Sequence, residues 1–488
     1  MSTSLMRNTS ILSVAWLAFA GFLLVGCSED PAPGEAGVAS STVSGPISGG
    51  LKGRPFTSAL LDLSSYGYVE EEYFIEGTAN TYGPASNSIL GPDGRWDVGV
   101  TGTQPYKSRF LVRRPTDATK FNGTVVVEWM QSSAGFDKDV NWNWQRDEFL
   151  RGGYVWVGVS AQREGVDGSP TDPVQGGFQD LVRWDTERYG SLGIPSEDLA
   201  YDIFTQVGEA VGSGRSTDFV DPLAGLEVRE VLPIGDTFAA EHLVTYYNAV
   251  QPLAQVFDGF FIGWRHISSS TPLSAGIEMP NVVKLRTDLD VPVIVVNSAA
   301  EAVAHYPARQ PNSDVYRLWE IAGSAHTNAF WAPQMYAIMN RDFDMPLPQC
   351  EGQFNTVPNQ YVMNAAVSQL VRWVRGQSSP PELPPLDVAG TPLALVQDEF
   401  GNTTGGVRLP EVVVPIARYE AGGDRRCPAD SGYTHPFLAE VLISMYPTHD
   451  DYVSKYQAAV QVAVESGILV PADAEEALKN AMLASVPR

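Results

Sequence analysis

The residues whose types and spacing best suit covalent chemistry are Gly235-Asp236-Thr237-Phe238-Ala239. A nucleophile set on a sharp strand-to-helix turn needs small residues two before and two after it, because larger side chains would collide as the chain reverses. Gly235 and Ala239 meet that demand around Thr237. Asp236 fails it, since Ile234 stands two before, and a carboxylate nucleophile is disfavoured. A hydroxyl attacks only when a base takes its proton, and that base is steered by an acid. Downstream, Glu301 follows the apolar run 291–297, and His326 lies in Gly323-Ser324-Ala325-His326-Thr327 after the run 316–321. Nucleophile, acid, histidine is one of the chain orders in which such triads occur. The Phe238 N–H and an amide of residues 131–135, with Ser132 preferred, are the expected donors to a tetrahedral oxyanion. Trp129, Trp142 and Trp144 flank that loop and either line an acyl or aryl pocket or pack in the core. Without these partners, Gly-Asp-Thr would read as a polar strand end capping a helix.

These side chains converge only if a sheet carries them to one rim. Residues 68–76, 109–112, 123–130 and 154–161 read as strands, with a helix over 143–151. Val125, Val126 and Val127 are apolar on both faces, as in a buried central strand. The strand-helix-strand alternation implies a parallel sheet. The pattern returns in strands over 228–234, 257–264, 291–297 and 316–321, and in helices over 238–250 and 362–375. Thr237, Glu301 and His326 then all sit at strand carboxyl ends, where open α/β sheets bind ligands. Residues 163–226, rich in Gly, Ser, Pro and Asp, read as a crossover insertion or lid. Two helices, 450–466 and 472–484, belong to a C-terminal helical part, 430–488.

A net charge of −25 repels phosphate backbones, so nucleic-acid binding is excluded as a reading. Residues 1–26 carry a positive start and an apolar run too short for a comfortable membrane span, which marks a signal peptide. They end in Leu24-Val25-Gly26-Cys27, which resembles the lipobox of bacterial lipoproteins. That likeness implies acylation of Cys27 and a membrane anchor outside the cytoplasm. Ser28, in place of Asp, favours the outer membrane by the same likeness. Residues 27–54 read as a disordered tether and 55–488 as the folded domain. Cys350 and Cys427 are the cysteines left over, and in an oxidising envelope they are expected to pair. No zinc spacing is present, and neither a metal nor an organic cofactor is expected.

Several longer stretches carry a family resemblance: GYVEEEYFIEGTANTY from Gly67, GTVVVEWM from Gly123, GYVWVGVSAQREGV from Gly153, ERYGSLGIP from Glu187 and YRLWEIAGSAH from Tyr316. Together they resemble the large, mostly bacterial α/β-hydrolase domain proteins of unassigned substrate that look like carboxylic-ester hydrolases. The resemblance implies an α/β-hydrolase fold, a mostly parallel central sheet with helices on both faces, and a small-molecule ester as substrate. Departures fall in the site. The family usually shows Gly-Glu-Ser-Gln-Ser-Ala where this chain has Gly235-Asp236-Thr237-Phe238-Ala239-Ala240, and Arg where it has His242. After the acid-bearing strand the usual Gln-Thr-Glu-Thr-Asp is Asn297-Ser298-Ala299-Ala300-Glu301. If the acid was the first carboxylate it is lost; if the second, Glu301 replaces it. Two functions follow: an esterase with a Thr237, His326, Glu301 relay, or a binding protein on the same fold whose catalysis has lapsed.

Overall fold

The valine run at residues 125–127 splits between two cores. Val125, Val127 and Trp129 pack on one face of the sheet with Val155, Val157 and Val159, while Val126 packs on the other with Trp156, Leu232 and Ile234. Alternation along a strand requires this split, and it explains why the central strands read as unbroken apolar runs. The structure is a computed structural model that describes residues 40–86, 88–168, 180–216, 220–349, 352–422 and 431–486. Signal segment 1–26, Cys27, Cys350 and Cys427 lie outside the described residues, and with them the expected lipid anchor and disulfide.

Nine strands form the main sheet: β1 (Ser40–Ser44), β2 (Tyr68–Pro84), β3 (Val98–Pro115), β4 (Thr124–Trp129), β5 (Val155–Val159), β6 (Glu230–Asp236), β7 (Phe260–Gly263), β8 (Val293–Ser298) and β9 (Tyr316–Ile321). Their order is β1-β2-β3-β5-β4-β6-β7-β8-β9. The first three strands and the β3-β5 pair are antiparallel, and β5 through β9 run parallel. Chain order reverses between β4 and β6, the switch point at which such sheets open a crevice. Helices α1 (Val140–Gly152), α2 (Ala200–Ala210), α3 (Phe238–Thr245), α4 (Trp331–Phe343), α5 (Asn359–Val374), α6 (His449–Glu465) and α7 (Pro471–Leu483) complete the frame. Buried residues of α2 and α3 join the first core and those of α1 and α5 the second, so both faces are covered. No helix among the described residues is long and apolar enough to cross a membrane.

Two expectations need correction. The tether read over 27–54 does not reach 54, because Ser40–Ser44 pairs antiparallel with β2 and its main chain satisfies that strand's edge. Beyond it, Arg188 donates to the Gly49 carbonyl at 2.6 Å, and Asp185 accepts the Leu51 and Lys52 amides at 3.0 and 2.8 Å. Residues 163–226 do not form a separate lid over their described parts. Ile203, Phe204 and Val207 of α2 are fully buried in the first core. The polar composition misled because the apolar residues of α2 are spaced on one helical face.

Candidate active site

β6 ends in the turn that presents Thr237. Its backbone sits at φ 55, ψ −117, a region that non-glycine residues seldom occupy. The turn is tight: a Cβ on Gly235 would lie 3.0 Å from the Ala239 carbonyl and 2.9 Å from Leu243 Cδ1. A small residue two before Thr237 is therefore a steric necessity. Thr237 N donates to the Gly263 carbonyl at 3.2 Å, tying the turn to the neighbouring strand β7.

His326 arrives from the loop after β9. Gly323 takes φ 70 at the start of that loop, and its N–H donates to Thr403 Oγ1 at 2.6 Å. Asn359 Nδ2 holds the Ala325 carbonyl at 2.7 Å and Trp264 Nε1 holds the His326 carbonyl at 2.9 Å. The ring lies between two groups, with Nδ1 2.7 Å from Glu301 Oε1 and Nε2 3.4 Å from Thr237 Oγ1. Glu301 is oriented in turn by the Ser298 amide at 3.0 Å and the Ser298 hydroxyl at 2.5 Å, both donating to Oε2. A carboxylate at Nδ1 keeps the proton there and turns the Nε2 lone pair toward Thr237. The first carboxylate position considered for the acid is Ala299, and Glu301 is the one that reaches the imidazole. Thr237, Glu301 and His326 thus meet at one sheet rim.

A family profile described as "Alpha/beta hydrolase domain" matches residues 43–479. The chain belongs to the α/β-hydrolase domain family. No curated protein matches it. Among solved structures, it is similar to a glucuronoyl esterase from Solibacter usitatus, with 10% identity over 60% of this chain and 82% of that one, at a TM-score of 0.27. It is also similar to an esterase from Rhizomucor miehei, with 10% identity over 65% of this chain and 93% of that one, at a TM-score of 0.30. Likeness at such scores bears on neither substrate nor mechanism.

Within this α/β-hydrolase the expected oxyanion donors follow the carboxyl ends of two neighbouring strands, β4 and β6. β4 pairs in parallel with β6 so that Glu128 faces Ile234. Phe238 N–H is the first amide of α3 and has no intrahelical acceptor. Ser132 is fully buried, and its hydroxyl has no partner among the described residues.

Of the two readings of the tryptophans, pocket or core, the structure selects the core. Trp129, Trp142 and Trp144 are all at most 1% exposed and belong to the core. Trp129 stacks on His242 at 4.8 Å, Trp142 lies under the Arg113 guanidinium at 4.4 Å, and Trp144 packs edge-on against Trp264 at 5.6 Å. Strand alternation turns Trp129 inward, and the first turn of α1 faces the sheet. Trp144 still touches the site through Trp264, which holds the His326 carbonyl. The exposed aromatic beside the turn is Phe238, 44% exposed and edge-on to His266 at 4.8 Å.

Asp236 is the group that sequence reasoning missed. Its Oδ1 accepts the Thr237 hydroxyl, and its Oδ2 is buried without a partner. Burial pushes this carboxyl up to about 7, helped by the Glu301 charge and opposed by His326, the Thr237 hydroxyl and Lys138. Burial also acts against the charge of Glu301, but the bond and charge of His326 and the Ser298 hydroxyl outweigh it and the pKa falls. Burial alone pulls Lys138 down to about 8, against the attraction of Asp236 and Glu164. His242 drops to about 4 through burial, so a neutral ring stands where the resembling family carries Arg, its Nδ1–H donating to the Phe238 carbonyl at 2.8 Å. The available clue was an acidic residue at a strand end, weighed only as a nucleophile. Among the described residues no three His, Cys, Asp or Glu side chains are grouped to hold a metal ion.

Proposed function

We propose that this protein hydrolyses a carboxylic ester, with Thr237 as nucleophile, His326 as general base and acid, and Glu301 as the orienting carboxylate. The observation that carries the reading is the imidazole between Glu301 Oε1 at 2.7 Å and Thr237 Oγ1 at 3.4 Å. The second distance is longer than an ideal hydrogen bond, as is common before substrate closes a site. His326 Nε2 takes the hydroxyl proton as Oγ1 bonds to the acyl carbon, and the Phe238 amide with an amide near Ser132 receives the oxyanion. The ester C–O bond then breaks and the alcohol leaves with the proton from Nε2. Water, deprotonated by the same nitrogen, releases the acid and restores Thr237.

A specific observation favours the second reading, a non-catalytic binding protein: the Thr237 hydroxyl donates to Asp236 Oδ1, while its contact with His326 Nε2 is the longer one at 3.4 Å. Labelling by a fluorophosphonate probe, together with turnover of aryl acetates, separates the two. Ester hydrolysis requires the native protein to exceed His326→Ala in both assays. If both are silent while Thr237→Ser turns over, catalysis has lapsed; if Thr237→Ser is silent too, the three groups are not poised for chemistry.

We infer further that the chain is held at the outer membrane, outside the cytoplasm, by acyl chains on Cys27, and that Cys350 pairs with Cys427. The Leu-Val-Gly-Cys ending supports the anchor, and the leftover cysteines of an exported chain support the disulfide. Incorporation of labelled fatty acid that persists in Cys27→Ala would sink the first. Two alkylatable thiols at positions 350 and 427 without reductant would sink the second.

A further inference from the structure

We propose that a second cavity, lined by neither Thr237, Glu301 nor His326, binds a protonated alkylamine. It lies between the loop that follows His326, the start of α5 and the C-terminal helices, with a volume of about 360 Å³. That is at the small end of ligand sites. Tyr361, Tyr419, Tyr452 and Tyr456 supply its aromatic walls, and the rings of Tyr452 and Tyr456 lie 5.8 Å apart. Glu411 and Glu476 supply its charge, and no lysine, arginine or histidine lines it. Aromatic faces and carboxylates both attract cations, and in a chain of net charge −25 the long-range field has the same sign.

Two buried acceptors point to a donor as well as a charge. Glu411 uses Oε1 to accept the Tyr456 hydroxyl at 2.6 Å, while its Oε2 is buried without a partner. Gln360, 8% exposed, likewise has an unpartnered Oε1. Buried acceptors left unpaired are costly, and an ammonium brings three donors on a compact head. A quaternary ammonium would satisfy the rings but not the oxygens, and an alcohol would satisfy one oxygen without answering the charge. A primary ammonium on a short alkyl stem answers both.

Burial raises the Glu411 carboxyl, whose surroundings are the Tyr456, Tyr361, Tyr419 and Tyr452 hydroxyls and the Glu476 carboxyl, with no cation among these groups to offset the rise. An arriving cation favours the ionised form and expels the proton, so affinity should rise with pH until Glu411 is ionised in the free protein.

Calorimetric titration of the full chain with n-butylammonium, tetramethylammonium and 1-butanol, each at pH 6 and pH 8, tests this. The expected result is one saturable site for butylammonium, at least tenfold tighter than for butanol, tighter than for tetramethylammonium, and no weaker at pH 8 than at pH 6. Glu411→Gln should weaken it tenfold or more. Glu476→Gln, on an exposed helix position, keeps the test open if the Glu411 variant fails to fold, and should weaken binding several-fold. Equal affinity for butanol, unchanged affinity in a folded variant, or no saturable binding overturns the proposal.

Discussion

Replacing Asp236 by Asn tests the electrostatics of the site without needing a substrate. The carboxyl is 2% exposed and titrates at about 7 in the fold, against 3.8 when free. Below pH 3.8 it is protonated in both states and costs nothing. As pH rises from there the unfolded chain loses the proton first, so folding stability falls, and the fall levels off above about 7. At ~1.4 kcal/mol per pH unit, the penalty is ~1.6 kcal/mol at pH 5 and ~4 kcal/mol at pH 8. Asn fits the same space, can accept the Thr237 hydroxyl through its carbonyl oxygen, and has no proton to lose. Its buried amide lacks an acceptor where Oδ2 lacked a donor, a cost of ~1–3 kcal/mol that does not change with pH. The stability difference between Asp236→Asn and native protein should therefore move by ~2.5 kcal/mol in the variant's favour from pH 5 to pH 8. Urea denaturation of both proteins at the two pH values measures it, and groups common to both largely cancel. A difference that stays constant across that range would refute the buried, proton-retaining Asp236 and the release of the Thr237 hydroxyl by its protonation.

Thr237→Ser removes the methyl that crowds an incoming carbonyl and frees χ1, and kcat/KM for aryl acetates should rise ~10–100-fold; a serine variant no faster than native would show that the methyl is not limiting. Glu301→Gln keeps the shape at 2.7 Å from Nδ1 but removes the charge, and kcat should drop ~10⁴-fold with KM little changed. Loss of less than tenfold would remove Glu301 from the relay. Gly235→Ala places a methyl 2.9–3.0 Å from Leu243 and Ala239, and should lower stability by ~1–3 kcal/mol; an unchanged melting temperature would mean the turn is looser than it looks.

The parallel strands were legible because each is buried on both faces and so written largely in apolar residues. β9 spans the expected 316–321, and β8 begins at Val293 within the expected run. Where a strand's partner supplies the reason for its length, the sequence is silent. β3 extends from Val98 to Pro115 rather than over 109–112 alone, because its first half is mostly solvent-facing and is held by the hairpin with β2. The start of α1 at Val140 was missed for a related reason: Glu128, from β4, accepts the Asn141 and Trp142 amides at 2.8 and 2.9 Å, so the capping group lies 13 and 14 residues away in sequence. Thr237, Glu301 and His326 could be picked out because strand ends are marked by composition. Which carboxylate each hydroxyl or ring faces is set by side-chain direction, and that is why Asp236 was overlooked and the three tryptophans stayed open between pocket and core.

The competition for one hydroxyl is the point on which fold and chemistry meet. Thr237 Oγ1 is already 3.4 Å from His326 Nε2, and a bond of ~2.9 Å needs an approach of only ~0.5 Å, so distance is the smaller obstacle. The larger one is the direction of the O–H, which points at Asp236. A hydrogen bond to a carboxylate is worth ~1.5–3 kcal/mol, enough to hold back a reaction ~10–100-fold while the carboxylate stays ionised. Once Asp236 takes up a proton, as its position at about 7 allows near neutrality, that acceptor weakens and the hydroxyl is free to turn to the imidazole. An ester that covers the rim and excludes water would push the same way, because desolvation favours the neutral carboxyl. On this reading the resting and reactive forms of the site share one backbone and differ by a proton on Asp236 and the direction of the Thr237 O–H.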